Sequence, residues 1–406
     1  MRTRHCRGSV LVALLAIAAA AGNAQAQTSA VGDDYASERA KAVALAKEQK
    51  WLDALPLFED LAKKNSNDAV VLEGLAQSLV NHSATVQDAD AAGKERVRAK
   101  ALLVTAQQLG DHSQLAENLL ETLSALPSNG EMKFADKGDV DAALKAGEAA
   151  FAKRDFDEAI KNYSHALELD PKSYAAALFV GDSYFADKKF PQASEWYDRA
   201  ALIDQNRETA YRYHADMLTK QGDFKAARTL SIEAIVAEPY NNIPWRGLIA
   251  WSNASHVRLQ RVHIETGSNA TPNGENKTTI TIDPNQSKEL GAVWLAYGGT
   301  RALWHQERFA KEFPQETQYR HSLAEEAAAL TTAAKVAEET GGKSPEGPMA
   351  KDANIQLLMR LYDEQMIEPY VLLSAADAGI AKDYAGYRDK NRAKLEQYLG
   401  EFVAPQ

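Results

Sequence analysis

Residues 156–171 read FDEAIKNYSHALELDP, residues 190–205 read FPQASEWYDRAALIDQ, and residues 224–239 read FKAARTLSIEAIVAEP. Each begins 34 positions after the one before, and the columns agree. Phe156, Phe190 and Phe224 form one column; Ala159, Ala193 and Ala227 a second; Ala166, Ala200 and Ala234 a third. Earlier in each unit Gly147, Gly181 and Ala215 fill one small position, and Pro171 and Pro239 close the first and third units, with Gln205 between them. The apolar spacing in each unit predicts two amphipathic helices, for the first unit over 140–152 and 156–169. Small residues let the two helices approach closely, and proline ends the second.

This pattern resembles the tetratricopeptide repeat, a 34-residue helix–turn–helix unit. The register holds over units near 140–173, 174–207 and 208–241. It weakens upstream, where Trp51, Ala54 and Phe58 fit a unit at 35–68 and Leu75, Ala76 and Leu79 fit another first helix. There the polar stretch 83–98 (SATVQDADAAGKERVR) reads as an insertion, followed by a helix over 99–109 that is out of phase. Downstream, Trp245 and Leu248 fit a first helix at 243–252 with no second helix after it. The expected fold is therefore mainly α. A tetratricopeptide-type α-solenoid, a right-handed superhelix of helical hairpins, is followed by an α-rich domain with a β-hairpin. The expected divisions are a signal peptide at 1–26, degenerate repeats at 27–134, the array at 135–254, and a C-terminal domain at 255–406.

One helical pair cannot bury its apolar face alone, so units stack and the stack curves. The resemblance implies that the first helices line a concave groove that holds a peptide or helix of a partner protein. The ninth position of each unit carries Glu148, Asp182 and Asp216, and Phe151, Phe185 and Arg212 complete the candidate groove set. Some family members grip a partner's terminal carboxylate with Lys and Asn. Acid stands here where that Asn would sit, which points to a basic or neutral partner segment. The competing reading is that these carboxylates are simply solvated helix faces.

The first 26 residues differ from the rest. Arg2, Arg4 and Arg7 precede the apolar run 10–21, and Ala24-Gln25-Ala26 follows. A basic start, a short apolar run and Ala-x-Ala predict a secretory signal peptide cleaved after Ala26. The run is short of the roughly 20 residues that a membrane span needs. Cleavage removes the three arginines, moving the net charge from −10 to −13, and removes Cys6, the only cysteine. The expected mature chain is exported to the periplasm or secreted. It has no disulfide or thiolate metal site, and no segment apolar enough for membrane insertion. Its acidity argues against nucleic acid, whose phosphates need a basic patch.

After residue 254 the period changes. HVRLQRVHIE (256–265) and TTITID (278–283) alternate, separated by a turn-rich GSNATPNGENK, and predict a hairpin near 256–283. Helical patterns follow, interrupted by GGKSPEGP at 341–348. Candidate chemistry in this half is sparse. His321 and Glu325 stand four residues apart, as a metal-ligating pair on one helix face could, with His305 as a further ligand. The bland reading is an exposed helical pair. Gly342-Lys343-Ser344 lacks the earlier glycine of a phosphate loop, Ala337 being in its place. No nucleophile motif occurs and no cofactor is implied. The sequence thus predicts a non-catalytic scaffold for a protein or peptide partner. The alternative is a hydrolase-like enzyme with a metal or polar site in 255–406, the repeats recruiting its substrate.

Overall fold

The alanine columns become contact lines between helices. In the computed structural model Ala159, Ala193, Ala227, Ala166 and Ala200 are wholly buried, and Ala234 nearly so. The structure describes residues 30–405 apart from 127, 131, 273–277, 283–286, 342–345 and 348. The expected signal peptide and the Gly342-Lys343-Ser344 tripeptide lie outside the described residues. Among the described residues no helix is long and apolar enough to cross a membrane.

The N-terminal helices are α1 (Ala30–Lys47), α2 (Trp51–Lys64), α3 (Ala69–Thr85), α4 (Ala89–Gln108) and α5 (Gln114–Ala125). The repeat region follows as α6 (Gly138–Ala152), α7 (Phe156–Leu169), α8 (Tyr174–Ala186), α9 (Phe190–Ile203), α10 (Glu208–Gln221), α11 (Phe224–Ala237) and α12 (Asn242–Ser255). The chain forms two compact units that divide between Met217 and Leu218, inside α10.

Two junctions recur at the 34-residue period. Between first and second helices the chain turns through a left-handed residue: Arg154 (φ 64°), Lys188 (φ 62°) and Gly222 (φ 82°). The following amide then bonds back to the helix, as Asp155 N to Ala150 O and Lys189 N to Tyr184 O. Gln49 (φ 59°) makes the same turn between α1 and α2. The second helices end alike, on Asn65, Asp170, Asp204 and Glu238, each with φ near −140° and its N–H bonded four residues back. N-caps differ: Asp155 and Asp223 accept from the third amide of α7 and α11, whereas α9 begins with a proline in its first turn instead.

The polar stretch 83–98 is not an insertion. Asp88 caps α4, which then runs unbroken through 98 into the expected 99–109 helix. Its polar residues are used: Arg98 pairs with Glu59 on α2 and His82 with Glu95 across the α3–α4 hairpin. Leu75, Leu103, Leu119 and Phe58 meet in the core of α1–α5.

In the second unit, strands β1 (Ser268–Pro272) and β2 (Thr278–Ile282) pair antiparallel, Ser268 opposite Ile282. Residues 256–265, expected as the first strand, form no ladder. Their alternation is real: Val257, Leu259, Val262 and Ile264 pack on the core. Their amides bond elsewhere, Gln260 N to Val403 O, Ile264 N to the Tyr370 hydroxyl and Glu265 N to the Asn354 side chain. Then come α13 (Lys288–Leu303), a π turn at 304–308, α14 (Phe309–Glu312), α15 (Leu323–Glu339), α16 (Ala353–Asp363), α17 (Ile367–Ser374) and α18 (Tyr384–Tyr398). The last helix closes over α11. Tyr384 and Arg388 donate to the carbonyls of Val236 and Ala237, Arg392 pairs with Glu233, and Arg228 donates to Gly400 O and Ala404 O.

Candidate functional site

The first helices carry the predicted groove residues, and the structure reassigns two of them. Glu148 is 5% exposed and Asp182 2%. Neither is a solvated groove carboxylate. Each accepts a hydrogen bond from the tyrosine fifteen residues on, in the second helix of its own unit: Tyr163 to Glu148 at 2.6 Å and Tyr197 to Asp182 at 2.8 Å. The physical reason is the small column. A Cβ at Gly147 or Gly181 would run into the Tyr163 or Tyr197 ring, so glycine admits the ring and the ring's hydroxyl lands on the neighbouring acid. The third unit lacks the arrangement, with Ala215 and Ser231 in those columns.

Burial sets the electrostatics of these pairs. Desolvation pushes the Glu148 carboxyl up to about 7, against which the Tyr163 hydrogen bond pulls only partly. Desolvation likewise drives Asp182 well above the usual carboxylate range, with Glu148 adding to the rise, while Tyr197 and Arg212 oppose it. A signal for the pairing is present in the sequence: acid at 148 and 182 stands with tyrosine at 163 and 197, and the third unit has Ser231.

The other groove candidates differ. Asp216 is half-buried. The Arg212 side chain is ion-paired with Glu208 one turn back at 2.7 Å and lies over the Tyr213 ring. Phe151 and Phe185 are half-buried at matching positions, each packed edgewise or tilted on the first aromatic of the next helix, Phe156 and Phe190. They form a repeated aromatic step at the end of α6 and of α8.

In the second unit the helix-face reading of His321 and Glu325 fails. His321 precedes α15 instead of lying on it, and Glu325 is 1% exposed. His321 bonds Asp377 through Nδ1 at 2.8 Å and Glu326 through Nε2 at 2.9 Å. Both ring nitrogens are thus engaged by carboxylates. Burial pulls the ring's proton affinity down, but the Glu326 bond and charge outweigh that and leave the ring above its ordinary value. Glu325 accepts from Tyr319 and from Arg301, and Glu326 from Tyr297. His305 stacks edgewise on Tyr319 at 4.2 Å. Among the described residues no three His, Cys, Asp or Glu side chains converge as a metal site.

The family model for the tetratricopeptide repeat matches residues 144–208. Residues 144–208 are tetratricopeptide repeats. The matched segment covers both Tyr–acid pairs and the α6–α9 hairpins whose turns recur above. No curated protein matches the chain. Among solved structures it is similar to the complex of the TPR2AB domain of yeast Sti1 with pHSP90, at 13% identity over 55% of this chain and 99% of that one, with a TM-score of 0.28. It is similar also to yeast Tom70, at 16% identity over 84% of this chain and 63% of that one, TM-score 0.28. Scores of this size carry no argument; the family match and the hairpin geometry carry the assignment. Tetratricopeptide repeats are protein-interaction modules, and that coarse role applies to this chain.

Proposed function

We propose that this chain is an exported scaffold, periplasmic or secreted, that binds a partner polypeptide along its first helices without catalysing a reaction. The observation that carries the reading is the repeat itself: successive hairpins with identical turns present Phe151 and Phe185 at one pitch, half-buried and partly open. Such a ladder suits a partner segment with apolar side chains at regular spacing. With Glu148 and Asp182 buried, an acidic column does not select the partner; Asp216 is the acid of that column that keeps partial exposure.

The test is crosslinked capture from an envelope extract, comparing the natural chain with Phe151→Ser and Phe185→Ser combined, both verified as folded by circular dichroism. A defined partner retained by the first and lost by the second supports the reading. Equal retention by both moves binding away from these helices. Export is tested separately by fusing residues 1–30 to a reporter that is active only outside the cytoplasm. An inactive reporter overturns it.

A further inference from the structure

A cavity of about 170 Å³ lies in the first unit, between the α3–α4 junction, the segment before α6, and α6 itself. Val86, Ala89, Ala92, Met132 and Phe134 give it apolar walls, and Glu148 is the acid that lines it. One Glu148 oxygen accepts from Tyr163; among the described residues the other has no hydrogen-bond partner. The two cations that also line the cavity are engaged elsewhere. Arg96 donates to Gly130 O at 2.5 Å and to the Ser83 hydroxyl at 3.1 Å. Lys145 pairs with Asp141 at 2.8 Å, and Asp141 also accepts from the amides of Phe134 and Ala135. Neither cation is among the charges that act appreciably on Glu148. The polar group left open to the cavity is therefore an acceptor, beside apolar walls.

We propose that this cavity binds an alkylammonium group, the ammonium donating to the open oxygen of Glu148 and the carbon chain lying against Val86, Met132 and Phe134. The volume is that of about five or six waters, enough for a chain of roughly five heavy atoms. Two sources share this chemistry, a lysine side chain of a polypeptide and a free aliphatic amine. An anion would meet the Glu148 carboxyl and would have to displace Asp141 from Lys145. The inference stands apart from the scaffold reading, since a free amine needs no partner protein.

The test is titration calorimetry on the full chain at pH 8 with n-butylammonium, Nα-acetyl-lysine amide, 1-butanol and butyrate. Saturable binding of at least one amine is expected in the millimolar range, about what five heavy atoms supply. The Glu148→Gln variant keeps an acceptor for Tyr163 and is expected to weaken that binding at least tenfold. Tighter binding of the lysine amide assigns the cavity to a polypeptide lysine; binding of butylammonium alone assigns it to a small amine. No heat with either amine, equal affinity for 1-butanol or butyrate, or unchanged binding by a folded Glu148→Gln variant overturns the proposal. Should that variant not fold, the comparison of butylammonium with 1-butanol on the natural chain decides.

Discussion

Glu148 illustrates how a single repeat position acquires chemistry from its neighbours. A carboxylate on a solvated helix face titrates normally; this one is enclosed with Tyr163 and holds its proton to about 7. Since the folded state binds that proton more tightly than the unfolded chain, whose glutamates titrate near 4.5, the stability it contributes is complete below about 4.5 and is lost as pH rises through about 7. Asp182, Glu73, Glu325 and Glu396 are shifted upward as well, each chiefly by burial, and act in the same direction. The chain is therefore expected to be more stable at pH 5.5 than at pH 8 in chemical denaturation. In the Glu148→Gln variant that difference should shrink by an amount on the order of 2 kcal/mol across the interval. An unchanged difference would mean that the carboxyl is hydrated in solution. Ordinary carboxylates such as Asp68, held low by Arg39 despite burial, contribute in the opposite sense and at lower pH.

At the scale of elements, the turn inside each hairpin is held at some cost. Arg154 and Lys188 adopt left-handed backbone angles that an L side chain disfavours by about 1–2 kcal/mol, while the third unit places Gly222 in that column. Arg154→Gly and Lys188→Gly are each expected to raise the unfolding free energy by about 0.5–1 kcal/mol, read as a higher denaturant midpoint at constant m-value. A loss of stability would show that the contacts of the side chains, such as Arg154 with the Glu48 carbonyl and over the Phe156 ring, outweigh the strain. The segment 256–265 shows why an element can be misread. Alternation reports only that every second side chain is buried, and an extended chain laid across helices buries them as a strand does. Whether it is a strand depends on where its amides go. Here they go to Val403, Tyr370 and Asn354, all more than 80 residues away in sequence.

For the molecule as a whole, the division at Met217 and Leu218 assigns α11 and α12 to the second unit. Trp251 and Leu248 of α12 are buried in the same core as Trp294, Leu330, Tyr398 and Phe402. Ending the chain before Tyr384 would uncover the α11 carbonyls that Tyr384 and Arg388 satisfy. In calorimetry the truncated chain is expected to show a low-temperature transition for the second unit and an unchanged one for the first. A uniform shift of a single transition would mean that the two units unfold as one. Repeat period, hairpin composition and the family were legible in the sequence, because one 34-residue unit meets the same neighbours each time and so needs the same small, aromatic and turn residues in the same columns. The orientation of Glu148 and Asp182, the capping of α11 by α18, and the bonding of His321 to Asp377 and Glu326 were decided by the tertiary structure. Each depends on which distant group occupies the space beside a side chain, and neither period nor composition records that.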